Sequence, residues 1–189
     1  MSTTLIILII IAIVIIYFIS VYNGFITKKN RIQNAWSDIE VQLKRRFDLI
    51  PNLVNTVKGA ANFESSTLEK VIEARNMAIS AHNSGDKDKI AESENMLSGT
   101  LKSLFALSES YPDLKATSNF SNLQNELTDT EDKIQASRRF YNSTVMDLNT
   151  TIAVFPKNIL ANIFGFKAEE MFKLGEEEQA ARNPVEVKF

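Results

Sequence analysis

The sequence predicts an all-α protein: an N-terminal transmembrane helix continuing into a cytoplasmic antiparallel four-helix bundle with a short C-terminal helix. Three observations predict it. Apolar residues recur at steps of three and four over most of the chain. Only six glycines and four prolines occur in 189 residues, too few for a turn-rich β architecture. One apolar run near the N-terminus is long enough to cross a bilayer.

That run, "LIILIIIAIVIIYFISV" from Leu5 to Val21, is broken only by Ser20. At 1.5 Å per residue it suits a hydrocarbon core of about 30 Å. A cleaved signal peptide is the alternative. The "MSTT" start carries no positive charge, and no small-x-small cleavage pattern follows, so an uncleaved anchor is expected. Lys28, Lys29 and Arg31 follow the run and nothing basic precedes it. The positive-inside rule then puts the N-terminus outside and the rest of the chain in the cytoplasm, as a single-pass protein. The expected organisation is an anchor over residues 1–24, a bundle over 25–156, and a short helix with a C-terminal tail over 157–189.

Beyond the anchor, Ile32, Trp36, Ile39, Leu43, position 46, Ile50, Leu53 and Val57 form a seam with alternating steps of four and three. A second stripe, Leu68, Val71, Ile72, Ala78 and Ile79, follows Glu64 with Ser65 or Ser66 as cap. "HNSGDKD", His82 to Asp88, reads as a turn. Ile90, Leu97, Leu101, Leu104 and Phe105 make a third stripe, ended by "YPDLKATS" because Pro112 cannot continue a helix. Thr117 or Ser118 then caps a long helix carrying Phe120, Leu123, Leu127, Ile134, Tyr141, Val145, Leu148 and Ile152. Thr130 and Ser137 stand in that helix where a strict seam asks for apolar residues. Pro156 stops it, "KNILANIFGF" reads as a short apolar helix, and "LGEEEQAARNPVEVKF" reads as a tail. Each stripe alone leaves an apolar face in water, and packing the four together buries them all.

Two residues of the first seam resist that scheme. Pro51 lies within the helical pattern, yet the pattern keeps phase across it, so one kinked helix is expected. Proline has no N–H, so the Phe47 carbonyl must find another donor, from water or a side chain. Arg46 occupies a seam position. Either its stem packs while its head stays wet, or it is partly buried against a carboxylate of another helix. Glu131, between Leu127 and Ile134, is the candidate partner.

"WSDIEVQLKRRFDLIPNLVNTVKG", "YPDLKATSNFSNLQNEL" and "TEDKIQASRRFYNSTVMDLNTTIAVFP" together resemble the signature blocks of the LemA family. The resemblance runs from the anchor to the region of Pro156. It implies an N-out membrane anchor and a cytoplasmic four-helix bundle. The family positions matching Arg46, Pro51, Asn52, Glu131, Arg139, Tyr141 and Asn142 are present. Some members are associated with internal membrane formation in magnetosomes, a lead toward membrane organisation. The resemblance implies no chemistry.

The residues themselves offer little toward catalysis. The absence of cysteine excludes disulfides and thiolate metal sites and fits a reducing compartment. The single histidine, His82, falls in the expected turn and reads as a solvated loop residue. The di-iron pattern of helical bundles needs Glu-x-x-His on two helices. No phosphate loop, dinucleotide glycine pattern or H-E-x-x-H occurs. Glu126, Asp129, Glu131 and Asp132 read as a solvated face rather than a cation site. No cofactor or metal is expected, and a formal charge of −2 gives no reason to expect nucleic acid. Arg138 and Asn142 share a helix face; Arg138 and Arg139 either pair with carboxylates a turn away or meet a partner's carboxylates or lipid phosphates. The "IFGF" segment either docks on the bundle, as expected, or lies on the membrane.

The sequence therefore predicts a non-enzymatic membrane-anchored scaffold. Its partners are the lipid bilayer, further copies of itself and an unidentified membrane protein. Its interaction or structural candidates are Trp36, Arg46, Pro51, Glu131, Arg138, Arg139, Tyr141 and Asn142. Two other readings stay open: a regulator or adaptor of a membrane protease or envelope-stress pathway, and an enzyme with an unrecognised site.

Overall fold

The computed structural model describes residues 3–59 and 64–172, and those residues are predominantly helical with no strand. The helices are α1 (Thr3–Lys58), α2 (Ser65–Ser84), α3 (Lys87–Ser108), α4 (Pro112–Lys115), α5 (Ser118–Ala153) and α6 (Lys157–Phe164). The expected tail, residues 174–189, lies outside the described residues.

α1 is one helix from the apolar run through Gly24 and Pro51 to Lys58. A single glycine costs a helix only about 1 kcal/mol relative to alanine, and the turns on both sides of Gly24 outweigh it. The run itself differs from the rest of the chain: large apolar side chains from Leu5 to Ile19 are exposed.

The described residues form two compact units, residues 3–39 with 137–171 and residues 40–136 with 172. In the first, α1 buries Val21, Phe25, Ile32, Ala35 and Ile39. α5 contributes Tyr141, Val145 and Leu148, and α6 contributes Leu160 and Ala161. The Trp36 and Tyr141 rings meet edge to face at 5.4 Å, and Lys28 pairs with Asp147. Those two contacts make α1 and α5 antiparallel here. After α6, Gly165 takes the left-handed conformation (φ 72°) that ends the helix. Phe166 then stacks on Phe25 at 4.7 Å.

In the second unit, α1 buries Leu43, Ile50, Leu53 and Val57 of the predicted seam, and Phe47 and Val54 beside it. α2 and α3 pack against each other as a hairpin. The turn between them is shorter than "HNSGDKD" suggested. α2 runs to Ser84, Gly85 adopts φ 70°, and Asp86 caps α3 by accepting from the Asp88 and Lys89 amides at 3.1 and 3.2 Å. His82 consequently lies in α2, half-buried, with its ring 6.3 Å from that of Phe47, and is not a solvated loop residue. α2 begins after Glu64 with no side-chain cap bond, so neither Ser65 nor Ser66 serves as its cap. Instead the Ser66 hydroxyl donates to the Glu64 carboxylate at 3.0 Å. "YPDLKATS" is more ordered than a helix end: Pro112 opens the single turn of α4, whose Leu114 is buried. Proline suits a first helical position, where its missing N–H is not needed.

The Asp86 carboxyl lies below its ordinary value of 3.8, held down chiefly by the Lys89 backbone amide and further by the Lys89 side chain, against an opposing desolvation effect. A depressed folded-state pKa gives stabilisation that is full above the unfolded value and lost as pH falls through the folded one. Asp86→Ala should therefore lower the melting temperature at pH 7. The gap from wild type should narrow as pH drops below about 4, as thermal melts across pH would show.

Candidate functional site

The most concentrated polar chemistry lies inside the second unit, where α1, α3 and α5 contribute one side chain each to a buried ionic cluster. Arg46 is 1% exposed, with its guanidinium inside the helices, so the wet-headed alternative does not hold. Its Nη1 donates to Glu94 Oε2 at 2.9 Å and to Ser98 Oγ at 3.1 Å. Its Nη2 pairs with Glu131. The Ser98 hydroxyl in turn donates to Glu131 Oε2 at 3.0 Å, and Gln135 Nε2 donates to Oε1 at 3.3 Å.

Each position follows from helical spacing. Arg46 stands between Leu43 and Ile50 on the seam, so the helix must aim it inward. Glu94 lies between Ile90 and Leu97, four and three residues away, and is as buried as Arg46. Ser98 is one turn further along α3, beside Glu94. Glu131 is a quarter exposed, at the edge of the α5 stripe next to buried Thr130. A buried guanidinium is tolerated only when its charge is matched and its donors are met; here two carboxylates and a bridging hydroxyl match the charge and meet the two terminal nitrogens.

Pro51 lies five residues after Arg46. The carbonyl that it deprives of an N–H, Phe47, accepts instead from Arg75 Nε of α2 at 2.8 Å. Proline thus exposes a backbone acceptor, and an arginine of the neighbouring helix occupies it. The Pro51 ring is exposed, as is Asn52.

Near the cluster the surface charges pair among themselves. Arg45 faces Asp129 at 3.6 Å and Glu126 at 4.0 Å, and Lys133 bonds Asp129 at 2.8 Å. The Lys133 bond is the main cause of the lowered Asp129 carboxyl pKa. Of the four acids read as one solvated face, Glu131 alone reaches the buried cluster.

The remaining candidates belong to the first unit. Trp36 is half-buried against Tyr141, whose ring is buried and whose hydroxyl donates to the Glu170 carbonyl at 3.0 Å. Arg138 is 4% exposed, which removes it from any surface offered to lipid phosphate or a partner's carboxylate. Arg139 is exposed and Asn142 half-buried.

Glu94, Ser98 and Arg75 were not marked by the sequence. The signal for Glu94 was available: the third stripe skips from Ile90 to Leu97, and the omitted seam position is an acid. Arg75 had no such signal, since its partner is a main-chain atom. Among the described residues no group of three or more His, Cys, Asp or Glu side chains is arranged to hold a metal ion.

The sequence model of the LemA family matches residues 35–189. The match begins past the apolar run and takes in the C-terminal end, which the three signature blocks left out. Among curated proteins, the chain is 30% identical to Protein LemA of Metamycoplasma hominis, over 89% of this chain and 80% of that one. It is 26% identical to Magnetosome protein MamQ 2 of Paramagnetospirillum magneticum and to Magnetosome protein MamQ of Magnetospirillum gryphiswaldense, over 87% of this chain and 68% of each relative.

Removing Arg46 alone leaves Glu94 buried without its cation, so Arg46→Met should destabilise the protein by about 3–5 kcal/mol in chemical denaturation. Pro51 and Arg75 should be coupled. In the Pro51→Ala background an amide can return to the Phe47 carbonyl, so Arg75→Ala should cost less there than in wild type. Loss of a charged donor to a carbonyl is worth about 1.5–3 kcal/mol, and a double-mutant cycle should recover a measurable part of it. Strict additivity would show that Arg75 does not substitute for the missing N–H.

Proposed function

The chain belongs to the LemA family, and from that membership we propose that it is a membrane-anchored cytoplasmic scaffold that self-associates at a bacterial inner membrane and organises or shapes that membrane. The observation that carries this reading is the start of α1. An unbroken apolar helical run is exposed from Leu5 to Ile19 and continues as the same helix into residues that pack. Water is a poor solvent for such a surface, and a bilayer is a good one. Lys28, Lys29 and Arg31 directly after the run favour a cytoplasmic location for the rest of the chain.

We take α1, α2, α3 and α5 to pack as an antiparallel four-helix bundle. The Arg46 cluster joining α1, α3 and α5, and the Arg75 bond joining α2 to α1, support that arrangement. The polar cluster is committed to holding helices, so the proposed role is structural rather than enzymatic. Two relatives are named for the magnetosome, and organisation of a cellular compartment is the role carried over here. Contacts between copies need not be strong individually, because many in a two-dimensional array combine through effective concentration. Arg139 is exposed, which supports a part for it in such contacts.

The full chain, purified in mild detergent and reconstituted into vesicles, should form concentration-dependent oligomers by light scattering and imaging. A protein that stays monomeric across detergents, concentrations and reconstituted membranes contradicts self-association.

A further inference from the structure

We propose that the outer side of α6 and the turn preceding it form a second membrane-contacting surface, seated in the bilayer interface beside the anchor; the proposal rests on the anchor reading of α1. The segment docks, as the sequence suggested, through Leu160 and Ala161, which are buried. Docking uses only one side of it. Ile159 and Ile163, one turn apart, are 50% and 64% exposed, and Phe155 is 79% exposed. Val154 and Phe164 extend the same apolar surface. Asn162 is exposed beside them, but a short helix whose outer side faced only water would not expose this many large apolar residues there.

The position of this surface identifies its occupant. The Phe164 ring lies 5.0 Å from that of Tyr22, and Phe166 lies 5.9 Å from Tyr22. Tyr22 directly follows Val21, the last residue of the apolar run, so the end of α6 is level with the end of the span. The other end of the surface reaches the same level. α5 runs antiparallel to α1 with Asp147 paired to Lys28. Seven residues onward is Val154 and seven residues back is Val21, each a rise of about 10 Å at 1.5 Å per residue. Val154, Phe155, Ile163 and Phe164 therefore lie at the boundary where the span leaves the hydrocarbon.

The chemistry suits that boundary. Aromatic side chains concentrate at membrane interfaces, and Tyr22, Phe155 and Phe164 supply them. Lys157 and Lys167 bracket the segment, with stems long enough to reach headgroup phosphates. α6 has no basic face, and a free peptide of its kind would bind lipid weakly. Here that is not needed, because attachment to the anchor raises the effective concentration at the bilayer. Nor must α6 hold itself folded. Leu160 and Ala161 pin it, and Asn149 exchanges two 2.9 Å bonds with the Glu169 backbone just beyond.

The protein has no native cysteine, so single nitroxide labels can be placed on the full chain in phosphatidylcholine–phosphatidylglycerol vesicles. Ile13→Cys reports the span, Phe155→Cys and Ile163→Cys the proposed surface, and Asp38→Cys an exposed site further along α1. Accessibility to oxygen, which partitions into lipid, is compared with that to a water-soluble nickel chelate. At Phe155 and Ile163 the oxygen-to-nickel ratio should exceed that at Asp38 severalfold and stay below that at Ile13. A lipid-like Ile13 with Ile163 as water-accessible as Asp38 overturns the proposal and leaves the anchor intact. Ile163 shielded from both reagents indicates a protein partner and also overturns it. A water-accessible Ile13 overturns the anchor reading and this surface with it.

Discussion

Burying a guanidinium is the constraint on which the second unit depends. Arg46 occupies a seam position of α1, and a charge there is tolerable only if carboxylates from other helices come to it. Glu94 from α3 and Glu131 from α5 do so, with Ser98 between them. An apolar seam with steps of three and four can slide by a turn and still find apolar neighbours. An ionic cluster with bonds near 3 Å cannot. It fixes the rotation and the axial register of three helical segments at once, the best-attested use of buried polar groups in helical assemblies.

Pro51 extends that constraint to the remaining long helix. One turn beyond Arg46 it removes an amide, and the freed Phe47 carbonyl is bonded by Arg75 of α2. Two arginines thus tie four helical segments within this unit, one through carboxylates and one through the backbone. Arg46 is buried against its partners, and Arg75 serves a main-chain atom. Polar bonds of defined geometry hold these segments in fixed relation where apolar packing alone is permissive.

The sequence made the helices legible because their apolar periodicity is strong. The apolar run, the α1 seam carried through Pro51 and the long α5 could all be read from spacing. Arg46 was visible as an anomaly and Glu131 as a partner, because both interrupt or flank a stripe. Glu94 escapes a stripe read from apolar residues alone, because the seam position between Ile90 and Leu97 is an acid. Arg75 was invisible in principle, since a bond to a carbonyl leaves no complementary residue type. His82 was misplaced because asparagine, serine and glycine suggested a seven-residue turn, whereas a left-handed Gly85 with an Asp86 cap reverses the chain more tightly. The outer side of α6 carries large apolar residues, as its docked side does. Only the fold distinguishes them, by burying Leu160 and leaving Ile163 exposed.

The central claim is that the ionic cluster supplies register rather than net stability, and it is tested by replacing the cluster whole. In the variant Arg46→Met, Glu94→Leu, Glu131→Met no charge is stranded, so stability should hold or rise. Hydrogen exchange by mass spectrometry on the full chain in nanodiscs then reads uniqueness directly. Wild type should give one protected population across α3 and the first half of α5. The variant should keep its helicity but show several exchanging populations there. A single population with protection equal to wild type would contradict the account, because apolar packing alone would then suffice to fix the helices.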